Sequence, residues 1–263
     1  MVKYCLSSRQ PKGTLQKADE IKLRYTDIDI MYDFIEEMPN KTYILDIPRE
    51  ESLNWDVKTC QMFAEKVDFI LCIHDLRVAK LCAAAGIKWY WAYPVTTFYE
   101  LQGVIALNPC YVYITAPLSM DLEKVKNITD IPLRMSPNLA YDAYIPRENG
   151  VRGQWVRPED TDRYGAYIDT YEFATSDLQK ERTLFHVYAE NGEWPGNLNL
   201  LLTNLDFDID NRTVPDEVIE ARMVCGQRCM AGGRCRLCES AFNCMATLRH
   251  KYYEKKREES SHI

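Results

Sequence analysis

Short apolar, β-branched or aromatic runs recur about every 20 residues through the first two thirds of the chain. That interval is the length of one strand plus one crossover helix. The runs are residues 21–25 (IKLRY), 42–47 (TYILDI), 68–73 (DFILCI), 88–92 (KWYWA), 111–115 (YVYIT), 132–135 (PLRM), 153–156 (GQWV) and 169–173 (DTYEF). Helical stretches fit between and after them, at 28–38, 55–66, 76–85, 97–107, 122–128, 139–145, 160–168 and 177–190. Some carry their own punctuation: Asp27 caps the first and Pro39 stops it, while Asp75 opens and Gly86 closes the third. Eight such units predict an α/β chain folded as a TIM-type (β/α)8 barrel over residues 1–190. An open doubly wound sheet is the alternative. The similar lengths of the units favour the barrel, as does the lack of GxGxxG and GxxxxGK[ST] loops. Residues 2–8 read as an extra strand closing the barrel floor.

Composition narrows the class. Hydrophobic residues make up 46% of the 263, enough for a full core. A net charge of −7 argues against coating nucleic acid by bulk charge. The amino terminus, MVKYCLSSRQPKGTLQKADE, has no apolar core of a secretory signal. No stretch approaches the roughly 18 apolar residues of a membrane span. The expectation is a cytoplasmic protein whose thiols stay reduced.

In a barrel of this kind the reacting groups sit at the carboxyl ends of the strands. The positions there are rich in arginine and acid. Arg24, Arg134 and Arg157 are the candidates for binding an anionic small molecule, because a guanidinium grips carboxylates and phosphates with paired hydrogen bonds. Asp46 and Glu172 are candidate general bases or orienters of those arginines. His74 immediately precedes Asp75, and the two together are a candidate base and orienter. There is no GxSxG and no HExxH, so neither a hydrolase serine nor a zinc protease is expected.

The ten cysteines divide unevenly. Cys5, Cys60, Cys72, Cys82 and Cys110 are scattered and read as core residues. The other five lie in CGQRCMAGGRCRLCESAFNC, a C-x3-C-x5-C-x2-C-x5-C array. Cys225, Cys229, Cys235 and Cys238 can surround one inorganic centre, with Cys244 spare. An iron–sulfur cluster and a structural zinc both take four thiolates. The short gap between the cysteine pairs favours the cluster, since zinc ribbons separate theirs by about 12–20 residues. Disulfides or free thiols on a surface loop are the remaining alternative. Residues 191–263 thus read as a cysteine-rich extension. It ends in RHKYYEKKR, where tyrosines interleave with cations. That pattern suits RNA, although a solvated terminal helix is the simpler account.

The stretch VDFILCIHDLRVAKLCAAAGIKWYWAYPVTTFYEL resembles the central region of the collagenase-like (U32-type) peptidase family. Asp68–Ile73, Asp75 and Leu76 match a strand ending in D-A-V-I-V-x-D-L-G, with Arg77 where the family has glycine. The resemblance implies a (β/α)8 barrel and, in the cysteine segment, a four-cysteine [4Fe-4S] cluster held by Cys225, Cys229, Cys235 and Cys238. It further implies an oxygen-independent hydroxylase of RNA bases or quinone precursors, with prephenate, a di-acid, as one source of the hydroxyl. The resulting expectation is an iron–sulfur-dependent enzyme acting on a small anionic or nucleic-acid-derived substrate, with an unidentified redox partner. The alternatives are a non-catalytic barrel stapled by zinc or iron–sulfur, serving as a scaffold or partner-binding module, and a peptidase.

Overall fold

The computed structural model describes residues 2–25, 28–50, 69–115, 121–137, 161–173, 177–190 and 257–260, with single positions elsewhere. Eight strands form one sheet: β1 (Lys3–Ser7), β2 (Glu20–Arg24), β3 (Thr42–Ile47), β4 (Phe69–Ile73), β5 (Trp89–Trp91), β6 (Val112–Ile114), β7 (Leu133–Met135) and β8 (Thr170–Glu172). Their order is β5-β4-β3-β2-β1-β8-β7-β6, and every paired neighbour is parallel. The two ends of this sheet meet through the parallel bridge Tyr90↔Tyr111, beside which the Cys110 amide donates to the Trp89 carbonyl at 2.8 Å. The sheet therefore nearly closes on itself as a (β/α)8 barrel.

Two strand assignments change. Residues 2–8 hold β1, a full barrel strand between β2 and β8, and no extra floor strand. Its apolar signal was short because Lys3 and Ser7 flank only Tyr4, Cys5 and Leu6. The expected strand at 153–156 is replaced at its one described residue, Val156, by an irregular segment whose amide donates to the Pro137 carbonyl at 2.8 Å. Residues 153–155 lie outside the described residues.

The described helices are α1 (Lys12–Leu15), α2 (Ile28–Glu37), α3 (Leu76–Ala85), α4 (Phe98–Ile105), α5 (Leu122–Ile128), α6 (Thr161–Gly165) and α7 (Leu178–Ala189). Side chains define most of their starts. Asp75 accepts from the Arg77 amide at α3, Asp121 from Lys124 at α5, and Asp177 from Gln179 and Lys180 at α7. Thr97 and Glu100 form a reciprocal capping box at α4. Gly86 ends α3 in the left-handed conformation, φ +69°, which a residue without Cβ adopts without strain. The expected helices at 55–66 and 139–145 fall largely or wholly outside the described residues. No helix among the described residues is long and apolar enough to cross a membrane.

Strand alternation sorts the side chains into two shells. Leu6, Ile21, Leu23, Leu45, Leu71, Ile73 and Trp89 face outward and pack with Val78, Ala79 and Cys82 of α3 and Leu184 and Phe185 of α7. A second outer cluster joins Val112, Ile114, Leu133, Met135 and Tyr171 to Leu101 of α4 and Val125 of α5. The barrel interior holds Cys5, Ile44, Ile70, Cys72, Tyr90, Tyr111 and Tyr113. Burying a leucine-sized side chain stabilises by about 1.5–3 kcal/mol, so these shells, rather than the ionic groups they enclose, supply the drive to fold.

Candidate functional site

The alternation that sends Ile21 and Leu23 outward places Glu20, Lys22 and Arg24 of β2 on the barrel-facing side. Arg134 of β7 lies on the same side and is fully buried. Its guanidinium pairs with Glu20 at 2.6 Å and with Glu172 of β8 at 3.3 Å. It also lies over the faces of Tyr90 and Tyr111, 4.7 and 5.0 Å from the ring centres. Tyr111 and Thr170 donate to Glu20, and Tyr90 to Glu172. Glu172 continues to the Lys22 ammonium at 2.6 Å, which stands 3.7 Å from Asp46 of β3. Asp46 meets His74 Nε2 at 2.8 Å. Six ionisable side chains thus run from the closed interior to the carboxyl ends of β3 and β4.

Exposure rises along this chain. Glu20 and Arg134 have side-chain exposures of 0%, while Asp46 and His74 reach 27% and 24%. The charges set one another's protonation. Burial alone would raise the Glu172 carboxyl, but Lys22 and Arg134 outweigh it and hold it below its ordinary value. Burial acts the same way on Asp46 and is likewise overcome, by the hydrogen bond with His74 and by Lys22. The bond with Asp46 raises His74 above the usual imidazole value, against burial. The His74 and Tyr93 rings also meet in a T-shaped arrangement, with ring centres 5.2 Å apart. Cys72, the register partner of Asp46 on β4, lies just inside, its thiol pushed up to about 12 by burial.

Two expectations about site residues are corrected here. His74 pairs with Asp46, not with Asp75. Asp75 turns away to cap α3 and bind Arg77 at 2.7 Å, as successive residues leaving a strand point to opposite sides. Arg134 is enclosed, with both terminal nitrogens committed to acids, and does not reach the mouth. Glu172 is tied to both Lys22 and Arg134. Arg24 is exposed at the carboxyl end of β2, in register with Asp46. Arg157 lies outside the described residues, as do Cys225, Cys229, Cys235, Cys238 and Cys244.

Glu20 and Lys22 were not singled out in the sequence. The signal for them was present: charged residues at i, i+2 and i+4 in a strand whose intervening residues are apolar. Of the scattered cysteines, Cys5, Cys72 and Cys82 are buried, as core residues should be, and Cys110 is half-buried.

No protein-family model and no curated protein matches the chain. The chemistry of the site therefore rests on its own geometry. A separate concavity of about 330 Å³ lies between α1 and α7, lined by Thr14, Lys17, Phe185 and His186 among others. Both Lys17 and His186 there are paired with Glu190. It lacks the convergence of buried charge that marks the mouth.

Proposed function

We propose that the chain is an iron–sulfur-dependent enzyme acting on a small anionic or nucleic-acid-derived substrate at the carboxyl-terminal mouth of its barrel. The observation that carries this reading is the partly exposed His74–Asp46 pair at that mouth, backed by a buried ion chain. Arg24, at the end of the neighbouring strand, supplies an exposed guanidinium to the substrate anion, and Arg157 is assigned the same task. Asp46 orients the imidazole and stabilises its protonated form. His74 then delivers or removes a proton at the bound substrate. Lys22 and Glu172 hold Asp46 in place from below.

The cluster belongs to the cysteine segment. Its donor set, four thiolates from Cys225, Cys229, Cys235 and Cys238 with glycines between them, suits a [4Fe-4S] centre. When bound, such a centre supplies one-electron chemistry. The resemblance of residues around β4 to the U32-type family supports the same assignment. A cytoplasmic location is part of this reading: Cys5, Cys72, Cys82 and Cys110 are free thiols, the state a reducing compartment maintains.

Anaerobic purification of the full chain with iron, sulfide and zinc counts tests this reading. Iron and sulfide together, with broad visible absorption lost in Cys235→Ser, are expected. Zinc alone in a colourless protein would instead make the cysteine segment a structural staple on a scaffold.

A further inference from the structure

The interior charges cancel in an instructive way. Glu20 and Arg134 form one buried pair, and Glu172 and Lys22 form another. Asp46 is the acid left over at the mouth, and the imidazole of His74 lies 2.8 Å from it. Beside them stands Cys72. One oxygen, one nitrogen and one sulfur donor from these three residues all lie within 4.8 Å of one another.

We propose that Asp46, Cys72 and His74 form a site for one divalent transition-metal ion of the zinc, cobalt or ferrous class, with a fourth position toward the barrel mouth. Metal–ligand bonds of about 2.0–2.3 Å put tetrahedral donors about 3.4 Å apart. Small side-chain rotations bring these three groups to that spacing, because Asp46 and Cys72 are register partners on adjacent strands and His74 follows two residues on. The mixed set of carboxylate, thiolate and imidazole selects against magnesium and calcium, which take oxygen alone. Three protein ligands with one open position is the arrangement of a reacting metal site rather than a structural one. Lys22 does not exclude the ion: its ammonium sits closer to Glu172, at 2.6 Å, than to Asp46, at 3.7 Å. Binding releases the thiol proton of Cys72 and any proton on His74, so the metal takes the place of the imidazolium as the counter-charge of Asp46. The Tyr93 ring packs against the imidazole in a T-shaped arrangement.

This inference rests on the mouth as the reacting site and names what that site holds; with the ion bound His74 serves as a ligand, so the proton-transfer role given to it above belongs to the metal-free site. The full chain, purified anaerobically and freed of loosely held metal, is titrated with cobalt(II) alone and with zinc(II) alone. Residues 225–244 contain no histidine, so a metal held there has sulfur around it and no imidazole. The expected result is one equivalent more in the wild type than in His74→Gln or Cys72→Ser. Zinc X-ray absorption should also contain imidazole scattering that His74→Gln loses. Equal metal content in the wild type and both variants, or a wild-type zinc signal without imidazole, would overturn the proposal. If Cys72→Ser fails to fold by circular dichroism, Asp46→Asn, altered at a partly exposed position, takes its place. Acid-labile sulfide, counted in the same samples, reports on the cysteine segment independently. Its absence counts against the iron–sulfur reading and leaves the mouth site standing or falling on its own result.

Discussion

Arg134 changes meaning once its surroundings are known. As an arginine late in a strand it suits an anionic substrate, but its guanidinium is fully buried between Glu20 and Glu172. Removing it strands two carboxylates in the barrel interior. Breaking a buried pair in this way costs roughly 3–5 kcal/mol. Arg134→Ala is therefore expected to lower the urea midpoint sharply or to prevent folding. A variant with wild-type stability would show that those acids find other partners. Arg24→Ala removes an exposed side chain and should leave the unfolding free energy within about 0.5 kcal/mol.

A second residue-scale test concerns Glu181 of α7. It is buried and accepts from the Ser7 amide at 2.9 Å and the Gln10 side chain. Burial raises its carboxyl above the ordinary glutamate value, and those two hydrogen bonds do not fully offset it. A carboxyl raised on folding favours the native state most fully below its unfolded value, about 4.3. That contribution is lost as pH rises through the folded value. Wild-type stability minus that of Glu181→Gln should accordingly fall as pH rises from about 4.3. A difference independent of pH would mean that Glu181 titrates as if exposed.

At the scale of elements, legibility tracked capping. The sequence boundaries 76–85 and 122–128 coincide with α3 and α5, because Asp75, Gly86 and Asp121 mark the ends with side chains or special backbone. Where such marks were weak, the boundaries drifted. The 160–168 stretch contracts to Thr161–Gly165, and the 97–107 helix, fixed at its start by the capping box, stops early at Ile105 where no side chain or special backbone marks its end. β1 was demoted to an accessory strand for want of a long apolar run, although its pairing with β2 and β8 completes the ring. The caps are open to direct test. Thr97→Ala removes one half of the α4 capping box and should cost about 1 kcal/mol. Gly86→Ala forces a Cβ into the left-handed region and should cost about 1–2 kcal/mol. Chemical denaturation of each variant measures both. A neutral Thr97→Ala would place the hold on α4 in its packed Leu101 instead.

At the scale of the whole molecule, the β/α period revealed the barrel but not the partnerships inside it. Strand alternation shows which face a residue takes. Only the register of β2, β3 and β4 brings Lys22, Asp46 and His74 together, and only closure of the sheet brings Arg134 to Glu20. That is why His74 was legible at a strand end while its hydrogen-bond partner, Asp46, stood apart from it in the chain. The resulting molecule encloses paired charges at its centre and leaves His74, Asp46 and Arg24 at one rim. Calorimetric titration of the full chain with small dicarboxylates and phosphate esters tests whether that rim is where a substrate anion docks. At least one of these anions should bind at one site per chain, with Arg24→Ala weakening it about tenfold, as losing one charge-assisted hydrogen bond would. Binding unchanged by Arg24→Ala, or no binding by any of these anions, would contradict the account.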